Sequence, residues 1–174
     1  MGGFWAFPGG TIIKEDHTVE DESVDSAFIN CGLRELFEET GLLLGTLGSK
    51  LDDAERKQLR QELLEDTSLL NWLRVLATGS ISSEEISVVC NITTPTFAPV
   101  RYKTRFLHVI LPDDARPSIE IGELVQGEFF EPADAIAAWE NGELLIAPPN
   151  LFLLRQLAKY GLPEFKNEAN IQTQ

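Results

Sequence analysis

Cysteine is scarce in this 174-residue sequence: there are two, Cys31 and Cys90. Two thiols without metal-ligand spacing argue against a secreted disulfide framework or a structural zinc site, and they point to a reducing compartment. Both are expected to be buried and to pack as small apolar groups. No apolar run approaches the roughly 20 residues of a membrane span. No basic stretch followed by an apolar one marks a signal peptide. The cytoplasm is therefore the expected location, and no membrane partner is expected. Positive charge is also scarce, with 14 Lys and Arg against 28 Asp and Glu and a net charge of −14. That balance argues against nonspecific binding to nucleic acid backbones or anionic membranes, both of which need a basic surface. A phosphorylated small molecule stays open, provided metal ions or a local basic patch neutralise it.

A chain of this length forms one domain by default, here expected over 1–164 with a polar tail at 165–174. Phe4 to Phe7 reads as a short strand closed by Pro8-Gly9-Gly10, and Thr11 to Ile13 could resume it. Residues 14–25 are acidic and without periodicity, so they read as a mobile loop. The period becomes helical over about 26–40, with Phe28, Cys31, Leu33, Leu36 and Phe37 recurring. Ser23 or Asp25 suits the N-cap, and Gly41 the C-terminal cap. Further helices are expected at 51–64, 67–77, 132–141 and 150–160, the last ended by Gly161. Strands are expected at 86–93, 101–111 and 125–130.

Within the first long helix, Glu35, Glu38 and Glu39 stand at i, i+3 and i+4 and project from one side. Clustered like charges cost stability unless a cation neutralises them. A hard divalent ion such as Mg²⁺ takes oxygen ligands and shares them with substrate phosphates. Arg34 adjoins the cluster and can pair with Glu38 at i+4. Upstream, a Gly-Gly turn permits close approach of backbone to ligand, and its carbonyl is a further metal oxygen. The competing interpretation is a plain solvated acidic face.

The segment Phe7-Pro8-Gly9-Gly10, followed by Arg34-Glu35-Leu36-Phe37-Glu38-Glu39-Thr40-Gly41-Leu42, resembles the Nudix box, G-x5-E-x7-R-E-U-x-E-E-x-G-U. The helical half matches at every fixed position. The first half departs from it: 23 residues separate Gly10 from Arg34, where the pattern has 13. The position eight before Arg34 holds Ser26 rather than Glu, and Asp25 is a candidate to supply the missing contact. The insertion, together with 93–107, Gly122-Glu123-Leu124-Val125 and 142–149, is similar to the Nudix subgroup that includes peroxisomal coenzyme A diphosphatase-like proteins.

The resemblance implies an α+β fold, a Nudix-type α/β/α sandwich with a mixed sheet between helices and a helical insertion at about 51–77. It implies a hydrolase that cuts a diphosphate linkage in a nucleoside diphosphate derivative, coenzyme A or acyl-coenzyme A among them, with Mg²⁺ or Mn²⁺. Glu38 and Glu39 would bind metal, Glu35 would join them, Gly10 would offer its carbonyl and Arg34 would orient the carboxylates. The base would be a box glutamate or a distant one. Glu123 is the candidate there, ahead of Glu120 and Glu128, against the alternative of a solvated loop carboxylate. The rival function is a noncatalytic nucleotide-binding sensor that keeps the fold.

Independently of the family, Arg101, Lys103 and Arg105 alternate along an expected strand and so share one face, with Tyr102, Thr104 and Phe106 toward the core. That face suits substrate phosphates; a solvated face or ion pairing with the acidic loop is the alternative. His17 and His108 are taken as incidental, and Trp72 and Trp139 as core. Only nine residues precede Gly10, where the resemblance implies one or two strands. The expectation is that Met1 is an internal methionine or that the chain is a fragment, weakly stable or active alone. A sheet edge would then be exposed, and a homodimer is one way to cover it.

Overall fold

The computed structural model describes residues 3–17, 24–44, 51–66, 86–97, 99–119 and 124–168. Ser23, the helix expected at 67–77 with its Trp72, and the loop acids Glu120 and Glu123 lie outside these residues. The described elements are α1 (Val24–Thr40), α2 (Asp53–Glu65), β1 (Ile86–Thr93), β2 (Lys103–Val109), α3 (Pro132–Glu140) and α4 (Pro148–Glu168). They fall into two compact units. One comprises Met1–Phe7, Val88–His108 and Phe129–Gln174; the other comprises Pro8–Ser87 and Val109–Glu128.

The second unit is built on α1 and α2. The start of α2 is fixed by a capping box: Asp52 accepts from the Glu55 amide, and Glu55 accepts from the Asp52 amide, each at 2.9 Å. Leu59 and Leu63, one turn apart on α2, bury against Phe37 of α1, with Ile13, Leu43 and Leu51 around them. Phe37 and Leu63 are fully buried, and each such side chain contributes about 1.5–3 kcal/mol. α1 ends at Gly41, whose amide makes a last helical bond to the Phe37 carbonyl at 2.8 Å and whose φ of 68° turns the following chain out of the helix. Asp25 lies inside α1, so it is not the N-cap.

The first unit carries β1 and β2, paired as a two-stranded antiparallel sheet. Val89 and Cys90 of β1 pack with Leu153 of α4, and Phe106 and Leu157 lie against them. α3 begins with Pro132 in its first turn, as the missing amide allows. It packs on α4 through Ala135, Leu151 and Leu154, with Ile146, Trp5 and Trp139 closing the cluster. The expected strand at Phe4–Phe7 is reduced to one parallel bridge, Trp5 to Ile146.

Three local expectations change. Residues 14–16, expected as loop, form a 3₁₀ turn, because the Asp16 carboxylate accepts the Ile13 amide at 2.9 Å. Residues 125–130, expected as a strand, form no ladder among the described residues, and Val125 is 91% exposed. An apolar stretch needs a paired neighbour to become a strand. Gly161 interrupts the last helix, but helical turns resume to Glu168 and take in the start of the expected tail. No helix among the described residues is long and apolar enough to cross a membrane.

Candidate functional site

The buried stripe of α1 changes chemistry along its length. Ala27 and Cys31 are apolar, but the next positions on the same stripe, Arg34 and Glu35, are charged and still buried. A buried guanidinium needs partners for its five N–H groups. Arg34 finds them on three carboxylates and a carbonyl. Its Nε and Nη2 donate to the two oxygens of Asp16, each at 3.1 Å. Nη2 also donates to the Thr11 carbonyl at 3.0 Å, and Nη1 donates to Glu35 Oε1 at 2.8 Å and Glu38 Oε2 at 2.9 Å.

Asp16 is the residue that sequence reasoning missed. It is fully buried, and its carbonyl also accepts from Asn30 Nδ2 at 2.9 Å. Counting backward from Arg34 reaches Ser26, whereas counting G-x5-E forward from Gly10 reaches Asp16. The ten extra residues therefore lie between the acid and the arginine, not between the glycine and the acid. Asp16 stands where the pattern counted from Gly10 has its Glu, and it pairs with Arg34 at 3.1 Å. The signal was present in the spacing from the glycine, and only the direction of counting hid it.

The Gly-Gly turn lies against the same helix. The Gly9 amide donates to Glu39 Oε2 at 3.0 Å. A Cβ on Gly10 would lie 2.1 Å from Glu35 Oε1, so no other residue fits beside that carboxylate as it stands. Gly10, Arg34, Glu35, Glu38 and Glu39 are thus brought together, with Asp16 added. Burial raises the Glu38 carboxyl above the ordinary range; Arg34 opposes this, while Glu35 and Asp16 add to it. Burial alone would lower Arg34, but Asp16, Glu35 and Glu38 hold it protonated. The Cys31 thiol is pushed up to about 12, first by burial and then by Asp16.

Three carboxylates converge on one guanidinium, with Glu39 beside them, so negative charge is in excess. All are hard oxygen donors, which in type and charge fit Mg²⁺ or Mn²⁺. Among the described residues, no three acidic, imidazole or thiol groups are arranged to hold an ion; one oxygen each of Glu35 and Glu38 is turned onto Arg34.

Glu123 and Glu120 are outside the described residues. Arg101, Lys103 and Arg105 belong to the first unit. Lys103 and Arg105 are on β2, while Arg101 precedes it and donates to the Thr94 carbonyl at 3.2 Å. Tyr102, expected toward the core, is 63% exposed because the strand starts after it; Phe106 does pack inward. His17 is exposed, and Trp139 packs against the Arg155 guanidinium.

No family model matches the chain. Its fold is of the Nudix type: the crystal structure of a NUDIX hydrolase from Alicyclobacillus acidocaldarius aligns with a TM-score of 0.71 at 25% identity, covering 93% of this chain and 79% of that one. A Caenorhabditis elegans protein assigned as nudix hydrolase 7 is 26% identical over 155 residues, which is 88% of this chain and 50% of that protein. The chain thus spans about half the length of that relative. In sequence and in fold the chain is similar to these Nudix hydrolases.

Proposed function

We propose that the chain is a divalent-metal-dependent hydrolase of diphosphate linkages in nucleoside diphosphate derivatives. One observation carries this: the Gly9-Gly10 turn lies directly on a helix whose carboxylates outnumber the single guanidinium among them. Glu38 and Glu39 are proposed as the principal metal ligands, with Glu35 and the Gly10 carbonyl as further ligands. When bound, Mg²⁺ or Mn²⁺ supplies charge neutralisation for the diphosphate and a more acidic water. Arg34 holds Glu35 and Glu38 in one orientation, and Asp16 holds Arg34. A carboxylate, Glu123 or one of the box, accepts the proton as water attacks phosphorus. Arg101, Lys103 and Arg105 are proposed to contact substrate phosphates. Coenzyme A and acyl-coenzyme A are the substrates that the insertion in the box suggests.

The test is incubation with Mg²⁺ or Mn²⁺ and a panel of coenzyme A, dinucleotide polyphosphates and nucleotide sugars, beside Glu38→Gln. Metal-dependent cleavage that disappears in the variant is the expected result. Ligand binding without turnover, in wild type and variant alike, would instead make the chain a nucleotide sensor.

A further inference from the structure

We infer that Arg60, on α2, is a positioning residue for the carboxylate helix; the inference rests on the metal-binding reading of Glu38 and Glu39. A helix ends with carbonyls that have no partner within it. On α1, the Phe37 carbonyl takes the Gly41 amide and the Thr40 carbonyl takes the Ser118 amide, both at 2.8 Å. The Glu38 carbonyl takes Arg60 Nε at 2.6 Å. Arg60 Nη1 reaches on to the Ser118 carbonyl at 2.7 Å, so one guanidinium ties the helix end to the segment that caps it.

Arg60 is only 5% exposed. Its burial follows from its neighbours: Leu59 and Leu63 flank it on α2 and pack on Phe37, which brings the guanidinium to the end of α1. A cation there also meets the negative end of the helix dipole. The guanidinium lies beside Gly41, where a Cβ would stand in ordinary contact at 3.7 Å from Arg60 Nη1. Glu38 is therefore held at both ends, by Arg34 at its carboxylate and by Arg60 at its carbonyl. Without Arg60 the last turn of α1 is tied to Ser118 only through the Thr40 carbonyl, the Glu38 carbonyl loses its partner, and the Glu38 and Glu39 carboxylates lose their register against Gly9 and Gly10. α2 thus serves the site through α1.

The experiment measures Mn²⁺ binding by electron paramagnetic resonance, and kcat and KM with the hydrolysed substrate, for wild type, Arg60→Met, Arg60→Lys and Arg60→Ala. Folding of each is checked by circular dichroism. Folded Arg60→Met is expected to bind Mn²⁺ roughly 10- to 100-fold more weakly, as for lost partners of metal ligands, with kcat reduced and KM little changed. Arg60→Lys should fall between, because an ammonium cannot span both carbonyls as the planar fork does. Added guanidinium should restore Mn²⁺ affinity to Arg60→Ala. Wild-type Mn²⁺ affinity in folded Arg60→Met, or in Arg60→Lys should the Met variant not fold, overturns the inference alone. A wild-type protein that binds no Mn²⁺ removes the functional reading and the inference with it.

Discussion

Asp16 shows what one buried carboxylate does for this site. It accepts from Nε and Nη2 along one edge of the Arg34 guanidinium while fastening the turn that leads to α1. Both side chains are nearly solvent-free, at 6% and 0%, so solvent screens the pair little. Breaking such a pair costs about 3–5 kcal/mol, because the remaining charge stays buried. Asp16→Ala should lower stability by about that amount in urea unfolding, and Asp16→Asn by less, since its amide oxygen still accepts. The thiols give a second residue-level prediction. Burial raises Cys31 to about 12 and Cys90 to about 11, from an ordinary 9.0. Folded values above the unfolded one mean that the neutral thiols favour folding below pH 9. That contribution is lost as pH rises through 11 and 12. At pH 8 iodoacetamide should leave both residues unmodified in the native protein and label both after denaturation. Native-state labelling at the rate of a free thiol would contradict the burial.

At the scale of elements, the helices were legible and the strands less so. α1 and α2 follow from periodicity, and Gly41 marks an end that the structure bears out by a hydrogen bond. Residues 125–130 have the composition of a strand, but pairing depends on a neighbour that local sequence does not specify. Arg60 was illegible for a related reason. In a helix as charged as α2, nothing local separates a buried arginine from a solvated one; the difference lies in Leu59 and Leu63 on either side and in Ser118 far along the chain. Gly161 was read as an end and proves to be an interruption, at φ 68° and ψ 168°. That region is essentially reserved for glycine, and occupying it with a side chain costs about 1–3 kcal/mol. Gly161→Ala should therefore melt earlier in a calorimetric scan; an unchanged midpoint would show that the interruption is not required.

Across the whole molecule the excess of acid has a direct consequence. With a net charge of −14, self-repulsion disfavours the compact state and is relieved by salt. A site where carboxylates outnumber their guanidinium adds a specific component to that general one. Millimolar Mg²⁺ or Mn²⁺ should raise the melting temperature more than monovalent salt of equal ionic strength, and chelation should reverse the gain. Glu38→Gln should abolish the difference between the ions. The most direct test of the central claim is a ³¹P NMR time course on nucleoside diphosphate derivatives, coenzyme A included, with Mg²⁺ and then after EDTA. The account predicts that diphosphate resonances give way to monophosphate ones with wild type and Mg²⁺, and that they persist after chelation or with Glu38→Gln. Intact diphosphates across that set, with folded wild-type protein and Mg²⁺ present, would contradict it.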